Sequence, residues 1–134
     1  MASYKEIRNM WTELGMDMAK HDEFLESFPL VLKEIIIDQK NRPENIDYFT
    51  NVVKTVHGQR PYELYMHRQN GGKVFGTYCV YVPDEVLVAL GAVTTGLCGG
   101  DQFWVPGGEN VLPVNTCALI KSSMGSRLDR TSPF

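Results

Sequence analysis

The sequence predicts an α/β protein, with a helical N-terminal region over residues 1–70 followed by a βαβ parallel-sheet portion from residue 71. Three observations predict it. Apolar residues recur at steps of three and four from Ser3 to about Arg68, the spacing of a helix face. After Gly72 the pattern changes to short runs rich in β-branched and aromatic residues. Between two such runs Pro83-Asp84-Glu85 opens a short helix, and strand, helix, strand implies two parallel strands joined by a crossover.

The first helix is expected from Ser3 to about Gly15, because Tyr4, Ile7, Trp11, Leu14 and Met18 share one face. A second carries Leu25, Phe28, Leu32, Ile35 and Ile36, and Pro29, which lacks a backbone donor, is expected to kink or split it. Arg42-Pro43-Glu44 reads as a third start, with proline in the first turn and acid near the positive end of the dipole. Ile46, Phe49, Val53 and Val56 follow on one face, and Gly58 closes it. A fourth runs from near Pro61 through Leu64 to Arg68, stopped by Asn70-Gly71-Gly72. Lys73 to Cys79 is the first predicted strand and Ala92 to Leu97 the second; between them the helix after Pro83 turns Val86, Leu87 and Leu90 to a core and ends at Gly91. Gly99 to Gly108 reads as a surface loop. Asn115 is the expected N-cap of a last helix through Leu128, with Cys117, Ile120, Met124 and Leu128 on one face.

The 134-residue length suits one domain, and a net charge of −3 argues against nucleic acid or anionic lipid as partners, since neither would meet a basic face. The most apolar run, Val86 to Val93, is far shorter than the ~20 residues a bilayer requires, and Met1 to Glu6 opens no apolar signal region. A cytoplasmic protein without a membrane partner is the expectation. Three widely spaced cysteines suit reduced thiols better than a disulfide framework.

Cys79 and Cys98 fall at the ends of the two predicted strands, on the carboxyl edge where open α/β sheets place ligands. Cys117 falls in the first turn of the last predicted helix, where the dipole favours a thiolate. Three soft ligands without a close C-x-x-C pair suit an iron–sulfur cluster better than a structural zinc finger. Two other readings stand beside it: buried, inert thiols, for which cysteine has a strong tendency, and a zinc site of three cysteines and one histidine.

Gly76-Thr77-Tyr78-Cys79-Val80-Tyr81-Val82-Pro83-Asp84-Glu85, then Gly96-Leu97-Cys98-Gly99-Gly100, then Leu112-Pro113-Val114-Asn115-Thr116-Cys117-Ala118-Leu119-Ile120-Lys121-Ser122 resemble successive motifs of the 2-hydroxyacyl-CoA dehydratase superfamily, its D-component in particular. Trp11 through Gly15, Gln39-Lys40-Asn41-Arg42-Pro43-Glu44 and Val56-His57-Gly58 resemble its double-cubane cluster branch. The resemblance implies a flavodoxin-like α/β domain over 71–134, incomplete at its C-terminus, behind the helical residues 1–70. It implies an oxygen-sensitive, anaerobic iron–sulfur protein that takes low-potential electrons from an ATP-hydrolysing activator and works with a homologous second subunit or as a homodimer. The chemistry implied is lyase chemistry, radical dehydration of a 2-hydroxyacyl-CoA, or reduction of a small molecule in the double-cubane branch. Cys79 and Cys117 carry over as ligands of a four-iron four-sulfur cluster or double cubane, and Cys98 carries over with the double-cubane branch. Two departures are visible. Members continue into a second domain, so the resemblance implies truncation after Phe134, and Ser132 stands where the family has a cysteine before proline and an aromatic residue.

Other residues read more plainly. His21, His57 and His67 have no recognisable partner spacing and are expected at the surface or at helix ends, His57 being set apart by the resemblance. Asp84 and Glu85 are explained by the helix dipole. No G-x-x-x-x-G-K-[ST] or G-x-G-x-x-G occurs, which argues against nucleotide hydrolysis by this chain. Lys121 is expected in solvent, with contact to an anionic CoA as the alternative, and Phe103 and Trp104 are expected to cover a cleft or meet a partner. The rival class is a non-catalytic assembly or interaction module whose thiols are inert.

Overall fold

The computed structural model describes residues 1–78, 81–97 and 99–133. The class is mixed α/β, helices followed by a two-stranded parallel sheet with further helices, consistent with part of a flavodoxin-like region.

Helix α1 is Tyr4–Glu13. It begins there because Ser3 and Glu6 form a reciprocal capping box: the Glu6 amide donates to Ser3 Oγ (3.3 Å) and the Ser3 amide to Glu6 Oε2 (2.8 Å). It stops at Gly15, whose φ of 77° is open to a residue without Cβ. Asp17 caps α2, Met18–Leu32, and its own amide donates to the Arg130 carbonyl, tying this corner to the last helix. Pro29 does not split α2. The helix passes through it and then widens into a π-helical turn over Lys33–Ile37, closed by the Asp38 amide on the Lys33 carbonyl (2.9 Å). The third helix begins later than its proline suggests. Arg42-Pro43 forms a preceding turn, from which Arg42 reaches Asp47 (2.7 Å), and α3 occupies Ile46–Thr55. Gly58 separates it from α4, Gln59–Gln69, which the Tyr65 hydroxyl ties to α1 by donating to Glu13 (2.7 Å).

Strands β1, Lys73–Thr77, and β2, Ala92–Gly96, pair in parallel with Lys73 opposite Ala92 and Thr77 opposite Gly96. The Leu97 amide continues the ladder to the Thr77 carbonyl (2.9 Å). Helix α5, Asp84–Ala89, joins the strands and packs on β2. Its expected core face is not one: Val86 and Leu90 are exposed and Leu87 is only half-buried, because two strands offer too little sheet for the helix to cover.

The glycine-rich segment is not a loop. Asp101 caps a 3₁₀ turn over Gln102–Trp104, which runs straight into helix α6, Val105–Glu109, with Pro106 in its first turn. The last helix, α7, is Ala118–Leu128, and its N-cap is Cys117, not Asn115. Its buried side is the reverse of the apolar face expected. Ile120, Met124 and Leu128 are exposed, whereas Lys121, Ser122, Ser123, Gly125 and Ser126 are buried. Small side chains let α6 and α7 meet backbone to backbone. A Cβ on Gly125 would collide with the Trp104 carbonyl, and one on Gly108 with the Lys121 carbonyl. Lys121 is not solvated either; its Nζ donates to Glu109 Oε1 (2.9 Å) and the Val114 carbonyl (2.8 Å).

The core is built on Met10 and Trp11 of α1, His21 and Phe24 of α2, and Trp104 and Val105 at the passage from the 3₁₀ turn into α6, with Phe24 stacked on Trp104 (ring centroids 4.6 Å). Beyond α7, Arg130 adopts a φ of 54°, a left-handed turn that sends Thr131 into the interior and brings Ser132 and Pro133 back against the core.

Candidate functional site

A cavity of about 230 Å³ opens at the carboxyl end of β2. Leu97, Gly99, Gly100 and Asp101 form its sheet side, Phe24, Phe28 and His57 its helical side, and Trp104, Ser132 and Pro133 the remainder. This is the edge at which the strand order of the sequence places ligands. The chain leaving β2 is fixed there by α7: the Gly99 amide donates to Ser123 Oγ (2.9 Å), and Ser122 Oγ donates to the Asp101 carbonyl (2.8 Å).

Cys79 and Cys98 lie outside the described residues. The residues before them, Tyr78 and Leu97, lie just past the two strand ends, and both neighbours of Cys98 line the cavity. Cys117 is exposed at the start of α7. Its neighbour Ala118 lines a smaller cleft, about 130 Å³, that shares Gly100 and Asp101 with the main cavity. Among the described residues no group of three His, Cys, Asp or Glu side chains could hold a metal ion. The described side-chain donors at the cavity are His57, Asp101, Ser126 and Ser132, nitrogen and oxygen groups rather than the thiolates an iron–sulfur cluster takes. On their own they do not fit such a cluster; the fit depends on the thiolates of Cys79, Cys98 and Cys117.

The histidines are the largest departure from expectation. His21 is 2% exposed, and its Nε2 lies 3.2 Å from Nδ1 of His57, 36 positions away in the turn between α3 and α4. His57 packs among Phe24 (ring centroids 4.8 Å) and Trp104 (5.9 Å, 25° between planes). Burial pushes the His57 imidazole down to about 3, with His21 adding to the effect, and burial lowers His21 as well. Both rings are therefore neutral near pH 7. His67 is half-buried with its ring against Gly72, where a Cβ would collide with it. Only contact across the fold brings His21 and His57 together; the aromatic residues spaced around them were the available sign of a buried setting.

Two further hollows adjoin the cavity. One, about 650 Å³, crosses the sheet beside α4 and shares Leu97 and Pro133 with it; the other, about 470 Å³, lies between α1 and the end of α7 and shares Ser132 and Pro133. Arg68, Lys73, Arg127 and Arg130 line these two hollows, and no carboxylate does among the described residues. None of the four cations is ion-paired among the described residues. In a chain of net charge −3 this is a concentrated positive groove leading to a largely apolar cavity.

Residues 79–134 match the family described as 2-hydroxyglutaryl-CoA dehydratase, D-component. A protein of Escherichia coli (strain K12) carried under the name dehydratase subunit YjiM is 41% identical over 58 residues, 43% of this chain and 15% of that relative. No helix among the described residues is long and apolar enough to cross a membrane. Residues 79–134 are thus the part of this chain that is similar to the 2-hydroxyglutaryl-CoA dehydratase D-component family, and the chain spans a small part of the length of the relative it matches.

Proposed function

We propose that this chain is a part of a 2-hydroxyacyl-CoA dehydratase-type iron–sulfur component that binds an acyl-CoA, with the anionic end in the positive groove and the acyl end in the cavity. The observation that carries this reading is the junction at Leu97, Ser132 and Pro133, where a groove lined by four cations, with no ion pair to them and no lining carboxylate among the described residues, meets a small apolar cavity at a sheet's carboxyl edge. Phosphate and pyrophosphate need cations, and Arg supplies bidentate donors to them. An acyl chain needs apolar walls.

In this reading residues 71–134 open a flavodoxin-like domain behind helical residues 1–70, and Cys79, Cys98 and Cys117 hold an iron–sulfur cluster, the double-cubane branch being the finer assignment. The cluster would supply one-electron chemistry, with electrons from an ATP-hydrolysing activator. The chain's own residues bind and orient: Arg68 and Arg127 hold phosphate, and Phe24, Phe28 and Trp104 keep water from the acyl group.

Two measurements test it. Titration calorimetry with CoA is expected to show binding that weakens about tenfold or more in Arg68→Ala/Arg127→Ala, since charge-assisted bonds contribute roughly 1.5–3 kcal/mol each; affinity unchanged by the double substitution would sink the groove assignment. Anaerobic reconstitution is expected to leave iron and sulfide bound with a broad absorption in the blue, lost in Cys79→Ser and Cys117→Ser and increased in Ser132→Cys, which restores a soft donor at the cavity. No iron retained by any of these proteins would defeat cluster binding by this chain.

One observation favours the rival reading, an assembly module. Leu119, Ile120, Met124 and Leu128 lie exposed on α7, and Leu30, Val31 and Ile35 on α2 and its π-helical turn. A dimer seen by light scattering and kept after Cys→Ser at all three cysteines would support it.

A further inference from the structure

We propose that His57, its tautomer fixed by His21, donates a hydrogen bond from Nε2 to the carbonyl oxygen of a small molecule held in the 230 Å³ cavity. Nδ1 of His57 is engaged by His21, so Nε2 is the ring nitrogen that His57 has left to offer the cavity it lines.

The direction of the His21–His57 bond decides whether that nitrogen carries a proton. Nδ1 of His21 is buried without a hydrogen-bond partner among the described residues. If His57 were the donor, His21 would carry its proton on that orphaned Nδ1, adding a further buried N–H without an acceptor to the indole N–H groups of Trp11 and Trp104 that already lack one among the described residues, and each such group costs its desolvation. The opposite direction leaves His21 Nδ1 as a bare lone pair, with Nε2–H of His21 donating to His57. The proton of His57 then sits on Nε2. Burial keeps both rings uncharged near pH 7, so the group offered is a neutral N–H.

Shape and charge select the acceptor. Asp101 is the formally charged residue on the described lining, which disfavours an anion inside the cavity. Phe24, Phe28 and Trp104 supply flat apolar walls. An engineered cavity of about 150 Å³ holds benzene, so 230 Å³ has room for one ring or a short branched chain with a carbonyl attached. If the dehydratase reading holds, the carbonyl is that of the thioester; the assignment of the donor rests on the cavity and the histidine pair alone.

The probes are acetophenone and ethylbenzene, which share size and ring but differ in the carbonyl oxygen, with phenol as a donor-bearing control. Titrated into the full chain without iron, acetophenone is expected to bind about threefold to tenfold tighter than ethylbenzene, the value of one neutral hydrogen bond. His57→Phe should erase that preference and His57→Gln should retain part of it. A ¹⁵N spectrum of the unsubstituted protein should show Nε2 of His57 protonated, independently of how the variants fold. Equal affinities, binding of neither compound, a preference for phenol, a preference that survives His57→Phe, or a bare Nε2 would each overturn the proposal. CoA binding in the groove is measured separately, so losing one result leaves the other standing.

Discussion

Acidification from pH 6.5 to 4.5 is expected to cost the folded chain about 2 kcal/mol through His57 alone. The imidazole has an ordinary value of 6.5 and is pushed down to about 3 in the fold by burial and by His21. A base whose folded value is depressed stays neutral in the native state while the unfolded chain takes up a proton. The stabilisation from keeping it neutral is fully present above 6.5, fades as pH falls below 6.5, and is exhausted near 3. His21 is lowered for the same first reason and acts in the same direction. Asp22 and Glu6 are lowered from 3.8 and 4.5 by bonds to Arg8 and Ser3, so their contributions are present above those values and fade below them, outside most of this window. Urea unfolding at the two pH values measures the effect. His57→Phe should remove most of the slope, and His21→Phe/His57→Phe should flatten it. A wild-type stability unchanged between pH 6.5 and 4.5 would mean that the rings are not buried together.

Gly125→Ala is expected to destabilise the chain by roughly 3 kcal/mol, although alanine is the better helix former by about 1 kcal/mol. The sign separates two accounts of α7. If the helix lay at the surface, the substitution would stabilise it. In the fold the new methyl meets the Trp104 carbonyl, a backbone atom that cannot rotate away, so α6 and α7 must part and loosen the buried Ser122, Ser126 and Trp104 with them. Gly96→Ala is the control, because nothing lies within 4 Å of its added carbon. Thermal unfolding of both variants, with a clear fall in melting temperature for the first and little change for the second, is the expected result.

The contrast between α5 and α7 shows where sequence reading succeeds. β1, α5 and β2 were legible because their limits are set by local chemistry: Gly72 and Gly91 punctuate, Val and Thr favour extended chain, and acids favour a first turn. The same local signals located α1 and α4 and read the helix starts at Asp84 and near Pro61. They could not tell which way a helix faces. Apolar periodicity assumes that the buried side is the greasy one, and α7 buries serines and glycines because close approach of two backbones substitutes for hydrophobic area. The row Ser122, Gly125, Ser126, at steps of three and one, was the sign of such contact. The candidate site was legible in its position, the carboxyl edge of the sheet, but not in its composition. His57 enters through its contacts with His21, Phe24 and Trp104, residues 36, 33 and 47 positions distant, and no spacing rule spans such gaps.

The stacking of the buried rings also gives the protein an optical readout of its own. The chain has two tryptophans, and each stands beside one member of the histidine pair: Trp11 is 5.9 Å from His21, and Trp104 is 5.9 Å from His57. A protonated imidazole quenches indole emission, whereas a neutral one leaves it bright. Intrinsic fluorescence therefore follows the charge on the two paired rings directly, with no dye or label attached.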